Sequence, residues 1–336
     1  MTSDAKILRE LYRVGDGGIS GALLAERMEV SRAAIWARIE ELRKLGFEIE
    51  ASPHHGYRLL QSPDLLIGDD LMARLNSVQT IGRQIQVFRE TASTNELAER
   101  LGRDGVDEGA VVISEFQTKG RGRLGRRWVS PGGKGLLMSV LLRPALRPPE
   151  ATRLTALGAI AVVRAIERCT ALRPSIKWPN DVMLGSGKLA GILTEMNAET
   201  DRVRYLILGI GLNLNQTEPD FPPELHDISS SLKMETGETV DRAILTAAVI
   251  EELDRYYGKI QAGAFSDVAA EWQQSCSTLG CQVSVRFGEG LVCGLAEGID
   301  DDGALLVRTA SGIVQRITGG DVSLGNSGDR SATQGL

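Results

Sequence analysis

Along the first 60 residues the apolar positions recur at helical intervals in three groups. Ile7, Leu8, Leu11 and Tyr12 share one face, Leu23 and Leu24 open a second, and Ile35, Ile39, Leu42 and Leu45 form a third. Ser20 and Ser31 stand where N-caps belong, because a serine oxygen accepts from amides that the first helical turn leaves unbonded; Gly46 suits the stop of the third helix. Only Met28, Glu29 and Val30 separate the second helix from the third, which predicts a helix-turn-helix. Residues 47–51, a turn at 53–56 and residues 57–60 then read as the two strands of a wing. The polar, proline-bearing stretch Gln61, Ser62, Pro63 closes this unit as a linker, so a winged helix-turn-helix domain is predicted over 1–62.

From 63 to 274 the pattern changes. Apolar runs at 85–89, 110–115, 136–142, 188–196 and 203–208 read as strands, while 95–101, 150–169 and 240–260 have helical period. That order predicts an α+β domain, a mixed sheet with helices packed on it. From 275 to 325 the runs are short and alternating, and Gly288, Gly298, Gly303 and Gly312 punctuate them, which predicts a small β-barrel. The polar, glycine-rich residues 326–336 read as a disordered tail. No internal repeat appears.

Composition narrows the function classes. With 336 residues, 42% hydrophobic and 24% charged, the chain reads as a globular protein of two or three domains. A net charge of -6 argues against coating nucleic acid with the whole surface, since phosphate binding needs cations to displace counterions; any DNA contact must be local. No apolar run is long enough to span a membrane and the charged start lacks a signal-peptide core, so a cytoplasmic location is expected. Cys169, Cys276, Cys281 and Cys293 form no CxxC pair, and with three histidines there is no zinc spacing. No metal ligands are predicted, and the cysteines read as small buried apolar residues.

The most unusual stretch is 119–128, in which Gly120, Gly122 and Gly125 alternate with Arg121, Arg123, Arg126 and Arg127 before Trp128. It contains GxGxxG, yet a dinucleotide fingerprint needs an amphipathic helix directly afterwards, and residues 126–133 carry no helical pattern. A Walker loop is excluded because GxxxxGK[ST] is absent. What remains is either a basic surface loop or a loop whose guanidinium groups and free amides suit carboxylate and phosphate oxygens; interleaved glycines favour the second reading. Three further clusters carry candidate chemistry. They are Lys177, Trp178, Pro179, Asn180 and Asp181 followed by Lys188; Ser93, Thr94 and Asn95 at a helix start; and Gly209, Gly211, Asn213 and Asn215 at a strand end. Each also has a plain alternative: a hairpin with a solvated lysine, simple N-capping, and a strand that stops on asparagine.

Taken in this order, the helix-turn-helix, Ser93-Thr94-Asn95, GRGRxGRxW at 120–128, KWPND at 177–181, KLAGIL at 188–193, GxGxNxN at 209–215, and the C-terminal stretches 303–306 and 319–324 resemble the bifunctional biotin protein ligases that also repress the biotin operon. The resemblance spans nearly the whole chain. It implies a class II synthetase-like central domain and an SH3-like C-terminal barrel. It implies activation of biotin with ATP to biotinyl-5'-AMP, then transfer to one lysine of a biotin carboxyl carrier protein, with Mg2+ accompanying ATP. Lys188, Arg121, Arg123 and Asp181 would be catalytic, the cations offsetting charge on two anions brought together. Ser93, Thr94, Asn95, Gln117, Arg121, Gly122, Arg123 and Lys188 would hold biotin. Arg121, Arg126, Trp128, Lys177, Asn180 and Asn213 would hold the nucleotide, Trp128 covering the adenine. The loop, disordered when empty, would fold over the adenylate and favour a homodimer that binds operator DNA. Ser31, Arg32, Ala33, Trp36 and Arg38 would read bases, with His54 and His55 near phosphate. The match departs at 131–134, where an altered loop closure is expected. Nine basic and nine acidic residues in the first 62 leave a ligase without DNA binding open, and an adenylate-sensing repressor without catalysis is the other alternative; a lipoate ligase would not be expected to carry GRGRxGRxW.

Overall fold

The helices of the N-terminal unit form where their caps and apolar stripes place them. In this computed structural model, which describes residues 1–287 and 290–324, α1 spans Ser3–Val14, α2 Gly21–Met28 and α3 Arg32–Lys44. The Ser20 hydroxyl accepts from Leu23 N–H and the Ser31 hydroxyl from Ala34 N–H, each at 3.1 Å. Strands β1 (Glu48–Ser52) and β2 (Gly56–Gln61) pair antiparallel as the wing. Ile7, Leu8, Leu11, Leu24, Ile35, Ile39 and Leu42 close one core, each contributing about 1.5–3 kcal/mol relative to exposure. Two expected core positions are corrected. Leu23 lies one residue, about 100°, off the buried stripe of α2, and Leu45 follows the last turn of α3; both are exposed.

The connection at 61–63 is not a free linker. Helix α4 (Gly68–Arg74), which the sequence pattern did not reveal, docks on α1. Arg9 donates to the carbonyls of Met72 (2.8 Å) and Leu75 (3.0 Å). Tyr12 hydrogen-bonds Ser62 (2.8 Å) and the buried carboxylate of Asp70. Nearby, buried Arg242 binds Glu115 (2.6 Å) and Asp64 (3.0 Å), so the junction is tied to the central sheet by hydrogen-bonded ion pairs.

The central domain contains β3 (Gln84–Thr91), α5 (Thr94–Arg103), β4 (Ala110–Gln117), β5 (Gly135–Leu142), α6 (Thr152–Cys169), β6 (Ser175–Lys177), β7 (Asp181–Leu184), β8 (Gly187–Ala198), β9 (Val203–Asn213), α7 (Leu232–Thr236), α8 (Arg242–Gln261) and α9 (Phe265–Ser275). The sheet order is β3-β4-β5-β9-β8-β7-β6, parallel only between β3 and β4. Side chains alternate between faces, and the two faces have different covers. Val111, Ile113, Met138, Val140, Leu206 and Leu208 share a core with α6 and α8. Ala110, Val112, Leu141, Tyr205 and Ile207 pack on the other side with Ala98 of α5. Helix α5 is short, so it leaves the end of that face, beyond Ile207, uncovered by apolar packing.

The C-terminal unit is a five-stranded antiparallel sheet of SH3-like order, formed by β10 (Gln282–Phe287), β11 (Gly290–Ile299), β12 (Leu305–Arg308), β13 (Val314–Ile317) and β14 (Asp321–Leu324), in order β13-β12-β11-β10-β14. Residues 326–336, expected as a disordered tail, lie outside the described residues. The cysteine expectation holds only for Cys276; Cys169 and Cys281 are half-buried and Cys293 is exposed on β11. Among the described residues no helix is long and apolar enough to cross a membrane.

Candidate active site

The uncovered face of β9 presents Gly209, Gly211 and Asn213 at alternate positions, continuing the row of Tyr205 and Ile207. The glycines make room. A Cβ at Gly211 would lie 2.7 Å from Cδ2 and Nε1 of Trp128, and one at Gly209 would lie 2.9 Å from Cγ of Asn95. Backbone thus forms the floor on which the helix start and the arginine loop both rest.

At the start of α5 the plain alternative, simple N-capping by Ser93, is not what forms. Ser93 occupies the N-cap position, yet its hydroxyl makes no capping bond. Instead the Gln117 carbonyl oxygen accepts from Thr94 N–H (2.6 Å) and from the Thr94 hydroxyl (3.0 Å). Ser139, buried on β5, donates to Asn95 Oδ1 (2.6 Å), with its hydroxyl oxygen 2.7 Å from Thr94 Oγ1. The Asn95 amide nitrogen in turn donates to Glu195 (2.6 Å). Ser93, Thr94 and Asn95 are therefore buried polar groups held in register beside a cavity.

The arginine loop folds back on itself. Arg121 and Arg127 form a bridge, Gly122 N–H donates to Arg126 O (2.7 Å), and Trp128 N–H to Gly120 O (3.1 Å). The tip turns through Leu124 (φ 55°) and Gly125 (φ 74°). No helix beyond a three-residue 3-10 turn follows, as the rejection of a dinucleotide fingerprint requires. Arg121 pairs with Glu195 (3.1 Å), Arg126 pairs with Asp321, and Arg123 donates to Asn180 Oδ1 (2.8 Å) and Gly320 O (3.4 Å). Burial pulls the Arg123 guanidinium below its usual range, with Asp181 and Asp321 opposing. At the loop's exit, Lys134 binds Asp220 (2.6 Å) and Gly133 N–H approaches Glu115 O (3.4 Å), which is what the departing segment 131–134 does.

The third wall is the β6–β7–β8 hairpin. Buried Trp178 sends its indole N–H to Gly303 O (3.1 Å), so this member of KWPND anchors the C-terminal sheet. Asn180 donates to Ile192 O (2.9 Å). The Lys188 ammonium lies 2.6 Å from the Asp181 carboxylate and 5.8 Å from the Trp128 ring centre. Asn213 donates to Ser230 O (3.0 Å). The walls enclose a cavity of about 440 Å³ that gathers Ser93, Thr94, Asn95, Gln117, Arg121, Gly122, Arg123, Arg126, Trp128, Lys177, Asn180, Asp181, Lys188 and Asn213. Its lining holds six cationic side chains against two carboxylates, Asp181 and Asp321. Such a site suits a polyanion with an apolar part lying on glycine and indole.

Comparison with known proteins agrees. The family model described as "Biotin/lipoate A/B protein ligase family" matches 87–213, an "HTH domain" model matches 4–58, and "Biotin protein ligase C terminal domain" matches 278–325. The bifunctional ligase/repressor BirA of Bacillus subtilis is 39% identical over 321 residues, covering 95% of this chain and 98% of that protein. The chain belongs to the bifunctional ligase/repressor family. Its Escherichia coli member is 30% identical over 306 residues, covering 91% of this chain and 92% of that one. Among solved structures, the biotin protein ligase from Aquifex aeolicus in complex with biotin and ATP is similar at a TM-score of 0.62 and 32% identity, covering 72% of this chain and 98% of that one.

In this ligase/repressor the residues expected at DNA separate. Arg32, Ala33 and Trp36 are exposed along one side of α3 and share a groove with the exposed His54 and His55 of the wing. Trp36 is 59% exposed and so does not serve the small domain's core. Ser31 caps α3, and Arg38 lies away from the groove, 3.7 Å from Asp4. Sequence reasoning missed Ser139, Glu195, and the Gly320–Asp321 turn that reaches the arginine loop from the C-terminal sheet. The alternate spacing of Gly209, Gly211 and Asn213 was the available signal for a backbone floor.

Proposed function

We propose that this protein activates biotin with ATP, transfers it to a lysine of a biotin carboxyl carrier protein, and represses the biotin operon with biotinyl-5'-AMP as corepressor. The observation that carries the reading is the single cavity in which the helix start at 93–95, the arginine loop, Lys188 and Asn213 meet. In the first step the biotin carboxylate attacks the α-phosphorus, the bond to the β-phosphate breaks, and pyrophosphate leaves. Lys188 and Arg123 offset the charge that gathers on the phosphorus oxygens. Ser93, Thr94, Asn95 and Gln117 hold the biotin end, and Trp128 covers the nucleotide with Arg126, Lys177, Asn180 and Asn213 around it. Arg121 and Gly122 close the biotin end. In the second step the acceptor lysine's nitrogen attacks the carbonyl carbon and AMP departs. Asp181, which holds Lys188, is the candidate to take the acceptor's proton.

ATP enters as its magnesium complex. Among the described residues no three histidine, cysteine or carboxylate side chains cluster. Mg2+ would offset charge on the phosphates, with Asp181 as the carboxylate that would hold it. A loop closed over the adenylate would exclude water and favour the homodimer that presents two α3 helices to a two-fold operator. The proposed place of action is the cytoplasm, where carrier protein and operator meet.

Mixing the protein with biotin, ATP, magnesium and a carrier domain should add the mass of one biotinyl group to the carrier. No gain would sink the ligase reading. Gel shifts on the chain's own biotin-gene promoter should tighten when biotin and ATP are added; unchanged mobility would leave the enzyme without the repressor.

A further inference from the structure

We infer that Glu195 is a positioning residue that latches the arginine loop to the biotin end of the cavity, an inference resting on the adenylating function proposed above. Glu195 lies on β8 on the same face as Gly191 and Leu193, which pair with Gly211 and Gly209 of the floor. Its side chain is half-exposed and stands where three elements meet. One carboxylate oxygen, Oε2, accepts from Asn95 Nδ2 at 2.6 Å and lies 3.1 Å from an Arg121 guanidinium nitrogen. Asn95 is fixed on its other side, where its Oδ1 accepts from Ser139 at 2.6 Å. The order Ser139, Asn95, Glu195, Arg121 therefore runs from a buried strand to the first turn of the loop, each link setting the orientation of the next.

This arrangement divides the labour of the arginines. Arg121, whose charge is offset by Glu195, acts as an anchor. Arg123, bound to the neutral Asn180 amide and a backbone carbonyl, keeps its charge for the phosphate. Lys188 and Asp181 lie outside this chain of contacts, so the bond-making step does not depend on Glu195.

Glu195→Gln keeps an acceptor for Asn95 but removes the charge that holds Arg121; Glu195→Ala removes both. Two readouts separate the latch from the chemistry. Trypsin cleavage within 119–128 of the protein saturated with biotin and ATP should quicken about five-fold in both variants, the scale of a half-exposed charged contact, with the thermal midpoint unchanged. In the enzyme assay, biotinyl-adenylate should escape about five-fold faster and the biotin KM should rise, more in Glu195→Ala, while kcat for pyrophosphate release stays within about two-fold. The double variant Glu195→Gln with Arg121→Ala should be no worse than Arg121→Ala alone, because both remove one contact. Wild-type cleavage rates in both Glu195 variants, or additive effects in the double variant, would overturn the latch. Wild-type protein that neither releases pyrophosphate nor gains protection from trypsin with biotin and ATP would overturn the functional reading instead, whereas protection in wild type with the same cleavage rate in the variants would overturn the latch alone.

Discussion

Gly211→Ala adds one methyl group beneath the indole that roofs the floor of β9. The new Cβ would lie 2.7 Å from Trp128 Cδ2 and Nε1 and closer still to Cε2, short of the 3.4 Å of ordinary contact, so the ring must retreat by about 1 Å. The strand cannot yield, because Gly211 is paired on both sides, with Leu137 of β5 and Gly191 of β8. The indole can, since Trp128 is half-buried at the edge of a loop. Overpacking of this kind costs about 1–3 kcal/mol. Because the ring can swing into solvent, that cost falls on the ligand-binding arrangement rather than on folding. The expected result is an ATP KM raised by about 5- to 150-fold, the same free energy expressed as affinity, with a thermal midpoint close to wild type. Pyrophosphate release against ATP concentration measures the first and a thermal melt the second. Gly191→Ala supplies the internal control: its Cβ would sit 3.1 Å from Trp128 Cζ3, a lesser crowding, and should raise KM less. A wild-type KM in Gly211→Ala, or a larger effect at Gly191 than at Gly211, would refute the reasoning.

Lys188→Ala should lower kcat for adenylate formation by about 100- to 1000-fold, the scale of losing one aimed charge donor, measured by pyrophosphate release; a loss under ten-fold would assign the carboxylate's neutralisation elsewhere. Arg32→Ala should weaken operator binding and reduce its salt dependence by about one counterion in gel shifts at several salt concentrations, with carrier biotinylation unaffected. Asp300→Asn tests a carboxylate in the C-terminal sheet: burial pushes its pKa up, but the Ala304 and Asp302 amides and Arg316 outweigh that and hold it below the usual value. A depressed folded pKa contributes stability above the unfolded value and loses it as pH falls through the folded one, so the variant's lower thermal midpoint at pH 7 should converge on wild type below about pH 4.

Much of this site was legible because its signals are local. Ser20 and Ser31 cap helices through bonds three residues away, and glycines between arginines specify a turning loop wherever the chain carries it. The short motifs at 120–128, 177–181, 188–193 and 209–215 sufficed to name the family, since each is a contiguous segment whose chemistry survives without knowing its neighbours. Three helices escaped detection, α7 with only five residues and the other two for opposite reasons. Helix α4 is only seven residues long and opens on a glycine, while α9 carries Phe265, Val268 and Trp272 at helical spacing that went unread.

What only the tertiary structure decided is which side chains oppose one another. Strand register sets Gly211 beneath Trp128 and Glu195 beside Asn95, 100 residues apart, and a shift of one position would turn each to the other face of the sheet. The reach of Asp321 to Arg126 and of Gly320 to Arg123 depends on how a separate sheet docks, which no local pattern encodes. The sequence by itself determined most of the elements, the family and fourteen of the residues that line the cavity. Partnership among those residues came from pairing and packing over long chain separations, and so the capping role of Gln117, the anchoring of Arg121 and the exposure of Trp36 emerged only from the folded chain.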